Sequence, residues 1–335
     1  RPRRPRRSRP SPASAGRASE ASFLKAVVTG AAGFIGSHVA QSLLVDGHEV
    51  VGIDCFTDYY AREAKEANLA ALRDYEGFEL VEGRLQDADL VPVLDGAEHV
   101  YHLAAQAGVR ASWGRDFAHY TDHNVLGSQR LLEAARTAGE PVVVYASSSS
   151  VYGDAPELPL REDGPCQPVS PYGVTKLAAE HLAVLYHRCY GLPTVSLRYF
   201  TVYGPRQRPD MAFHRFFKAA RSGEPIHLYG DGRQTRDFTF VSDIVAATRA
   251  AAVSGRRGSV YHGGGGERVE LNHVLGLIEK IAGRPLRIQR EEAQKGDMRD
   301  TFADTAAARR DLDFESRVGL TEGLTREWEW LEGRS

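Results

Sequence analysis

Cysteine is scarce: Cys55, Cys166 and Cys189 are the only three in 335 residues, far apart and with no C-x-x-C pair. This usage argues against a disulfide framework or a cysteine-based zinc centre, so no metal is expected and a reducing cytoplasm is the expected location. No apolar run approaches the roughly 20 residues of a membrane-spanning helix, so no membrane partner is expected. Charge of one sign is also lacking, because 42 Lys and Arg meet 44 Asp and Glu. A net charge of −2 exerts no general pull on nucleic acid or on an acidic bilayer, and no nucleic-acid partner is expected. No internal repeat is visible. With 42% hydrophobic and 26% charged residues, the chain has the composition of a globular protein of one or two domains. The charge balance breaks only at the start, where seven arginines fall between Arg1 and Arg17 with almost nothing apolar. Residues 1–22 are expected to form a disordered basic tail with no part in the chemistry. A nucleic-acid-binding arm is the alternative, and a twin-arginine export signal is disfavoured because no apolar segment follows.

What is present is concentrated in two places. In the first, Phe23 to Thr29 is apolar and β-branched, and Gly30-Ala-Ala-Gly33-Phe-Ile-Gly36 follows at once. Ser37 to Val45 reads as a helix ended by Gly47, and Glu49 to Ile53 as a second strand closing on Asp54. This is a dinucleotide-binding pattern. Gly30 permits the tight turn, Gly33 admits a pyrophosphate close to the backbone, and Gly36 lets the helix pack on the strand. Free N–H groups at the helix start suit phosphate. Asp54 would accept ribose hydroxyls and repel a 2′-phosphate, which favours NAD over NADP as cofactor.

Strand-like runs at 23–29, 49–53, 78–82, 98–103, 141–146 and 193–198 alternate with helical ones. The alternation predicts an α/β fold, a Rossmann-type doubly wound parallel sheet over residues 23–198. Beyond Tyr199 the pattern loosens, with helical pieces at 211–222, 242–253 and 271–282. Residues 199–335 are expected to be mainly a smaller mixed substrate-binding domain, with 237–262 returning to the main sheet.

The second concentration is Tyr172-Gly-Val-Thr-Lys176, preceded by a strand that opens into Ser147 to Ser150. Tyr172 and Lys176, four apart, share a helical face. An ammonium beside a phenol lowers its pKa, so Tyr172 would exchange a proton with a sugar hydroxyl near neutrality, and a serine hydroxyl from the strand end would share that proton.

Together with GAAGFIGSH at 30–38, the segments HLAAQAGVR at 102–110, NVLG at 124–127, SSSSVYG at 147–153, SPYGVTK at 170–176, RYFTVYGPRQRPDM at 198–211 and RDFTFVSDI at 236–244 resemble the extended short-chain dehydrogenase/reductase family. Within it the chain is similar to the nucleotide-sugar 4-epimerases, over about residues 23–331. The resemblance implies Ser148 as the active-site hydroxyl, Tyr172 as the base, and Lys176 as the group that lowers its pKa and binds the nicotinamide ribose. It implies NAD contacts at Gly30, Gly33, Phe34, Ile35, Gly36, Asp54, Leu85, Ala104, Asn124, Tyr172 and Lys176. Arg236 would grip a UDP diphosphate, Asp297 would accept uridine ribose hydroxyls, and Arg208 would join the UDP-sugar site. From the residues alone, Arg236 also reads as a surface ion pair and Asp297 as a turn former. The sequence departs from the family at Arg84, where an acid usually meets the adenine amine. Leu85 or Gln86 would then hold adenine, and Arg84 opens an NADP alternative that Asp54 opposes. Helices at 124–138 and 172–190 imply a homodimer by the same resemblance, although their apolar stripes also fit internal packing.

In this family, oxidation of the sugar 4-hydroxyl gives a bound 4-keto sugar. Its dehydratases and decarboxylases carry an acid just after the active-site hydroxyl, where this chain has Ser149 and Ser150, which neither donate nor accept protons readily near pH 7. Return of the hydride to the other face, 4-epimerisation, is the remaining outcome. Tyr59 to Lys65, Ala105 to Arg110 and Arg208 to Met211 resemble UDP-glucuronate 4-epimerases most. Ser148, Ser149, Ser150 and Thr201 would then hold the sugar carboxylate; the alternative is a polar strand end closing on backbone and cofactor. Epimerisation of UDP-glucose or UDP-N-acetylglucosamine and a net NAD-dependent oxidoreductase remain alternatives, and a non-enzymatic NAD-binding regulator is disfavoured by the intact Ser148, Tyr172 and Lys176.

Overall fold

In the computed structural model, residues 23–155, 157–292, 296 and 298–333 are described. The basic tail and Asp297 lie outside them. The strands in chain order are β1 (Lys25–Thr29), β2 (Glu49–Asp54), β3 (Phe78–Glu82), β4 (His99–His102), β5 (Val142–Ser148), β6 (Thr194–Tyr199), β7 (Thr201–Tyr203), β8 (Ile226–Tyr229), β9 (Thr235–Phe240), β10 (Ser259–Gly263), β11 (Glu267–Glu270) and β12 (Ile288–Glu291). The helices are α1 (Phe34–Val45), α2 (Arg62–Arg73), α3 (Leu90–Leu94), α4 (Phe117–Tyr120), α5 (Gly127–Thr137), α6 (Pro171–Tyr190), α7 (Ala212–Ser222), α8 (Val241–Ser254), α9 (Leu271–Ala282), α10 (Ala306–Leu312) and α11 (Leu320–Glu332). Among the described residues no helix is long and apolar enough to cross a membrane.

Seven strands form one parallel sheet in the order β10-β6-β5-β4-β1-β2-β3. Strand side chains alternate between faces, and the cores follow suit. Ala26 and Val28 join α1, α2 and α8 in one apolar cluster, while Val27, Val51 and Ile53 join α3 and α5 in another. Both faces are covered, which is why the strands read as nearly unbroken apolar runs. The strand order reverses between β1 and β4, and a crevice opens there at the carboxyl ends.

The remaining strands form two small sheets. In one, β9 runs parallel to β7 and antiparallel to β11; in the other, β12 runs parallel to β8. Tyr203, Phe213, Phe238 and Phe240 pack edge-on or tilted in the core beside the first. The chain then re-enters the large sheet, with α8 against α1 and β10 at the edge beside β6. The fold class is the expected one, a doubly wound parallel sheet with a smaller mixed part. Two boundaries differ from the sequence reading. Helix α1 begins at Phe34 rather than Ser37, directly on the glycine turn, and β5 runs on to Ser148 by pairing with β6. A six-residue π-helical stretch, Thr121–Leu126, links α4 to α5.

Candidate functional site

Ten of the eleven residues expected to touch the cofactor line one cleft at the carboxyl ends of the strands: Gly30, Gly33, Phe34, Ile35, Gly36, Asp54, Leu85, Ala104, Tyr172 and Lys176. The glycines are required sterically. Gly30 has φ 71°, and a Cβ on Gly36 would stand 2.1 Å from the carbonyl oxygen of Gly30. Helix α1 starts on Gly33 with no side-chain cap and no acid in its first turn, so its N–H groups face the cleft unmet by a side chain. That cradle fits a diphosphate. Asp54 is held by backbone, its Oδ2 accepting from Ala32 N–H at 3.1 Å and its Oδ1 from Phe56 N–H at 2.9 Å.

Sequence reasoning assigned no role to Lys65, whose Nζ lies 3.4 Å from Asp54 Oδ1 with both side chains nearly buried. Ribose hydroxyls at this edge would meet an ion pair rather than a lone carboxylate. Arg84 is tied to Asp122 and Asp87, so its charge is already met, while Leu85 and Gln86 line the cleft. Asn124 is the exception among the expected contacts. It is buried away from the cleft, accepting from Gln106 N–H at 2.7 Å and donating to Gln106 O and Thr175 Oγ1. It props the cleft wall from behind.

The reactive groups come from β5 and α6. Ser170 caps α6 by accepting from Gly173 N–H at 3.1 Å, and Pro171 occupies the first turn. A Cβ on Gly173 would come within 2.5 Å of Ser150 O, so this glycine lets the serine turn sit against α6. Ser148 and Tyr172 thereby border one cleft, and the Ser148 hydroxyl is among the groups that draw the Tyr172 pKa down. Ser147, one residue earlier, points instead to Glu180.

One expectation is corrected here. Burial pushes the Tyr172 phenol above its usual pKa, and the groups that pull it down are Arg208 and Ser148. The Lys176 Nζ lies over the Tyr145 ring, 4.5 Å from the centroid. Burial lowers the Lys176 ammonium to about 7, against the opposing charge of Glu180.

Ser148, Ser149, Ser150, Thr201, Arg208 and Arg236 line an adjoining cleft of about 590 Å³, within the size range of small-molecule sites. Tyr172 and Arg208 border both clefts. Gly296 and Met298 line the second cleft, while Asp297 itself lies outside the described residues. Arg236 Nη1 donates to the backbone oxygens of Thr235 and Arg299 at 2.9 and 2.8 Å. Arg208 holds Asp210 through two bonds of 2.9 and 3.0 Å, and Tyr59 donates to the same carboxylate. Sequence reasoning gave no individual role to Arg110, which stacks over Tyr229 at 4.2 Å, or to Arg215. Arg110 was signalled by the HLAAQAGVR motif; Arg215, on α7, had no local signal.

Residues 26–264 match the NAD dependent epimerase/dehydratase family. An uncharacterized UDP-glucose epimerase of Bacillus subtilis is 43% identical over 92% of this chain and 98% of its own length. A UDP-glucuronate 4-epimerase of Thermodesulfobacterium geofontis is 37% identical over 91% of this chain and 95% of its own. The crystal structure of the UDP-glucuronic acid 4-epimerase of Bacillus cereus in complex with UDP-glucuronic acid and NAD superposes with a TM-score of 0.90 at 40% identity, covering 93% of this chain and all of that one. With a doubly wound parallel sheet, a glycine cradle, and Ser148 and Tyr172 on one cleft wall, this chain, matched over residues 26–264, belongs to the NAD dependent epimerase/dehydratase family.

Proposed function

We propose that this chain epimerises UDP-glucuronate at C4 to UDP-galacturonate, with NAD⁺ bound and restored at each turnover. The observation that carries the reading is Ser148 and Tyr172 together on the wall of a cleft lined by four arginines, whose one described carboxylate, Asp210, is already engaged by Arg208 and Tyr59. Gly30, Gly33, Phe34, Ile35 and Gly36 would hold the cofactor diphosphate, Asp54 and Lys65 the adenosine ribose, Leu85 and Gln86 the adenine, and Ala104 and Lys176 the nicotinamide end. When bound, NAD⁺ supplies a hydride acceptor for sugar C4 and a positive ring that favours the Tyr172 phenolate.

Tyr172 takes the proton of the 4-hydroxyl, with Ser148 sharing it, and gives it back after the keto sugar has turned its other face. Arg110, Arg215 and Arg236 suit a diphosphate through their guanidinium forks, and Asp297 would take the uridine ribose. Ser148, Ser149, Ser150 and Thr201 would hold the sugar carboxylate, each charge-assisted bond being worth about 1.5–3 kcal/mol. The hold has a chemical purpose. A 4-keto glucuronate is a β-keto acid, and it loses CO₂ when its carboxylate aligns with the carbonyl π system. The same reading divides the chain into an NAD-binding part, 23–198 with 237–262, and a mainly sugar-nucleotide part over the rest of 199–335. It sets the protein in the cytoplasm as a homodimer. Exposed Leu126, Val174 and Leu185 around α5 and α6 support the dimer.

The test is incubation with NAD⁺ and single UDP-sugars followed by NMR. UDP-glucuronate should give UDP-galacturonate faster than UDP-glucose and UDP-galactose interconvert, with little UDP-pentose. In Thr201→Ala, turnover should fall or CO₂ release rise. Faster turnover of UDP-glucose, the sugar in the name of the Bacillus subtilis relative, would overturn the substrate while leaving the Tyr172 chemistry in place.

A further inference from the structure

We propose that Glu180, clamped by Arg198 in the buried layer behind the reactive groups, is a positioning residue that keeps Lys176 cationic and aligns the Ser147–Ser148 strand end with Tyr172. Helix α6 places Tyr172, Lys176 and Glu180 at successive intervals of four, on one face. Glu180 is 2% exposed and Arg198 4%. Glu180 Oε1 accepts from Arg198 Nη2 at 2.6 Å, and Oε2 accepts from Arg198 Nε at 3.0 Å and from Ser147 Oγ at 2.6 Å. One carboxylate thereby joins α6 to β5 and β6, at the register where Ser147 pairs with Arg198 and Ser148 with Tyr199. Arg198 is itself anchored, donating from Nη1 to the Tyr152 hydroxyl and to Glu162 O.

A buried ion pair adds little stability over apolar residues of the same volume, so stability alone does not account for this one. Its neighbour does. Lys176 is 4% exposed, and the groups facing it from the sheet bring no anion. From β5, Tyr145 offers its ring and donates its hydroxyl to Lys176 O. From β4 comes His102, bonded to Thr29 and Ser128. Among the described residues Glu180 is the anion that acts on Lys176. With an ammonium already brought to about 7 by burial, the margin at neutral pH is thin.

The inference rests on the role proposed above for Lys176 in holding NAD⁺, and its test does not need the sugar substrate. NAD⁺ retained by the full chain after gel filtration is measured across a pH series, beside melting temperature and the pH profile of kcat/KM. Loss of the anion lowers the Lys176 pKa, so the cation disappears at lower pH. In Glu180→Gln the midpoint for NAD⁺ loss should move down by about one pH unit, and the alkaline limb of kcat/KM should move with it. Glu180→Asp keeps the charge and should bring the midpoint back towards the parent. Should Glu180→Gln fail to fold, the double variant Glu180→Gln/Arg198→Met leaves no lone guanidinium buried and should still move the midpoint down, by less, because a cation leaves with the anion. A folded Glu180→Gln or double variant with the parent's midpoint would overturn the proposal. A parent that turns over no UDP-glucuronate yet shows the shift would sink the substrate reading alone.

Discussion

On the proposed mechanism Tyr172 reacts as a phenolate, and its surroundings pull in both directions. Burial favours the neutral phenol, and Arg208 and the Ser148 hydroxyl favour the charged form. Removing the oxygen alone separates chemistry from packing, because the ring still lies edge-on to Tyr120 with centroids 6.3 Å apart. Tyr172→Phe should therefore lose far more than tenfold in turnover, a barrier rise well above ~1.4 kcal/mol, while retained NAD⁺ stays at the parent level. Steady-state rates and cofactor absorbance check both halves, and turnover within tenfold of the parent would remove Tyr172 from its role. The pair Tyr172 and Lys176 was legible because its spacing is local. The source of the pull on Tyr172 was not, since Arg208 lies 36 positions further on and reaches the cleft only through the fold. Asn124 shows the same limit: its motif was visible, but only packing shows that its amide is spent on Gln106 and Thr175.

At the scale of elements, α6 aims the chemistry, and its first turn is held by one side chain. Ser170 Oγ accepts from Gly173 N–H, and Ser170 is 4% exposed. Ser170→Ala leaves a buried N–H unpaired at the helix start, which costs about 1 kcal/mol. The melting temperature should fall by about 2 °C in calorimetry, and an unchanged value would show that another group takes over the cap. The strands of the large sheet were readable because burial on both faces writes them as apolar runs, and the turn at Gly30 because a positive φ calls for glycine. The small sheets were much harder to read. Strands β7 and β8 have only three and four residues, too short for a period to show, and their pairing with β9 and β12 is settled by long-range packing. The π-helical stretch before α5 likewise had no sequence signature.

For the whole molecule, acid sensitivity follows from three histidines held neutral inside it. Burial lowers His102 to about 3 and His38 and His262 to about 4, against 6.5 for a free imidazole. Between those values the unfolded chain binds more protons than the folded one, so stability falls as pH drops below about 6.5. At pH 5.5 each site has lost roughly 1.4 kcal/mol. Glu162, Asp237 and Glu327 act the other way, since burial raises their pKa and acid relieves that strain on the fold. Urea midpoints for the parent and for His102→Asn isolate one histidine: the variant should lose less stability between pH 6.5 and 5.5, and equal slopes would contradict the assignment.

Leu126, Val174 and Leu185 are 42%, 47% and 49% exposed. Val174 and Leu185 lie 11 residues apart on α6, about three helical turns, and so share a face. Scattered exposed leucines are ordinary, but an apolar stripe on the outside of α6 beside Leu126 suits a second copy of the same surface. Leu185→Glu places a charge in that contact without touching the core. In sedimentation velocity the parent should run as a dimer and the variant as a monomer, with the same circular dichroism spectrum. A parent that sediments as a monomer at micromolar concentration would leave this face without a partner and end the homodimer reading.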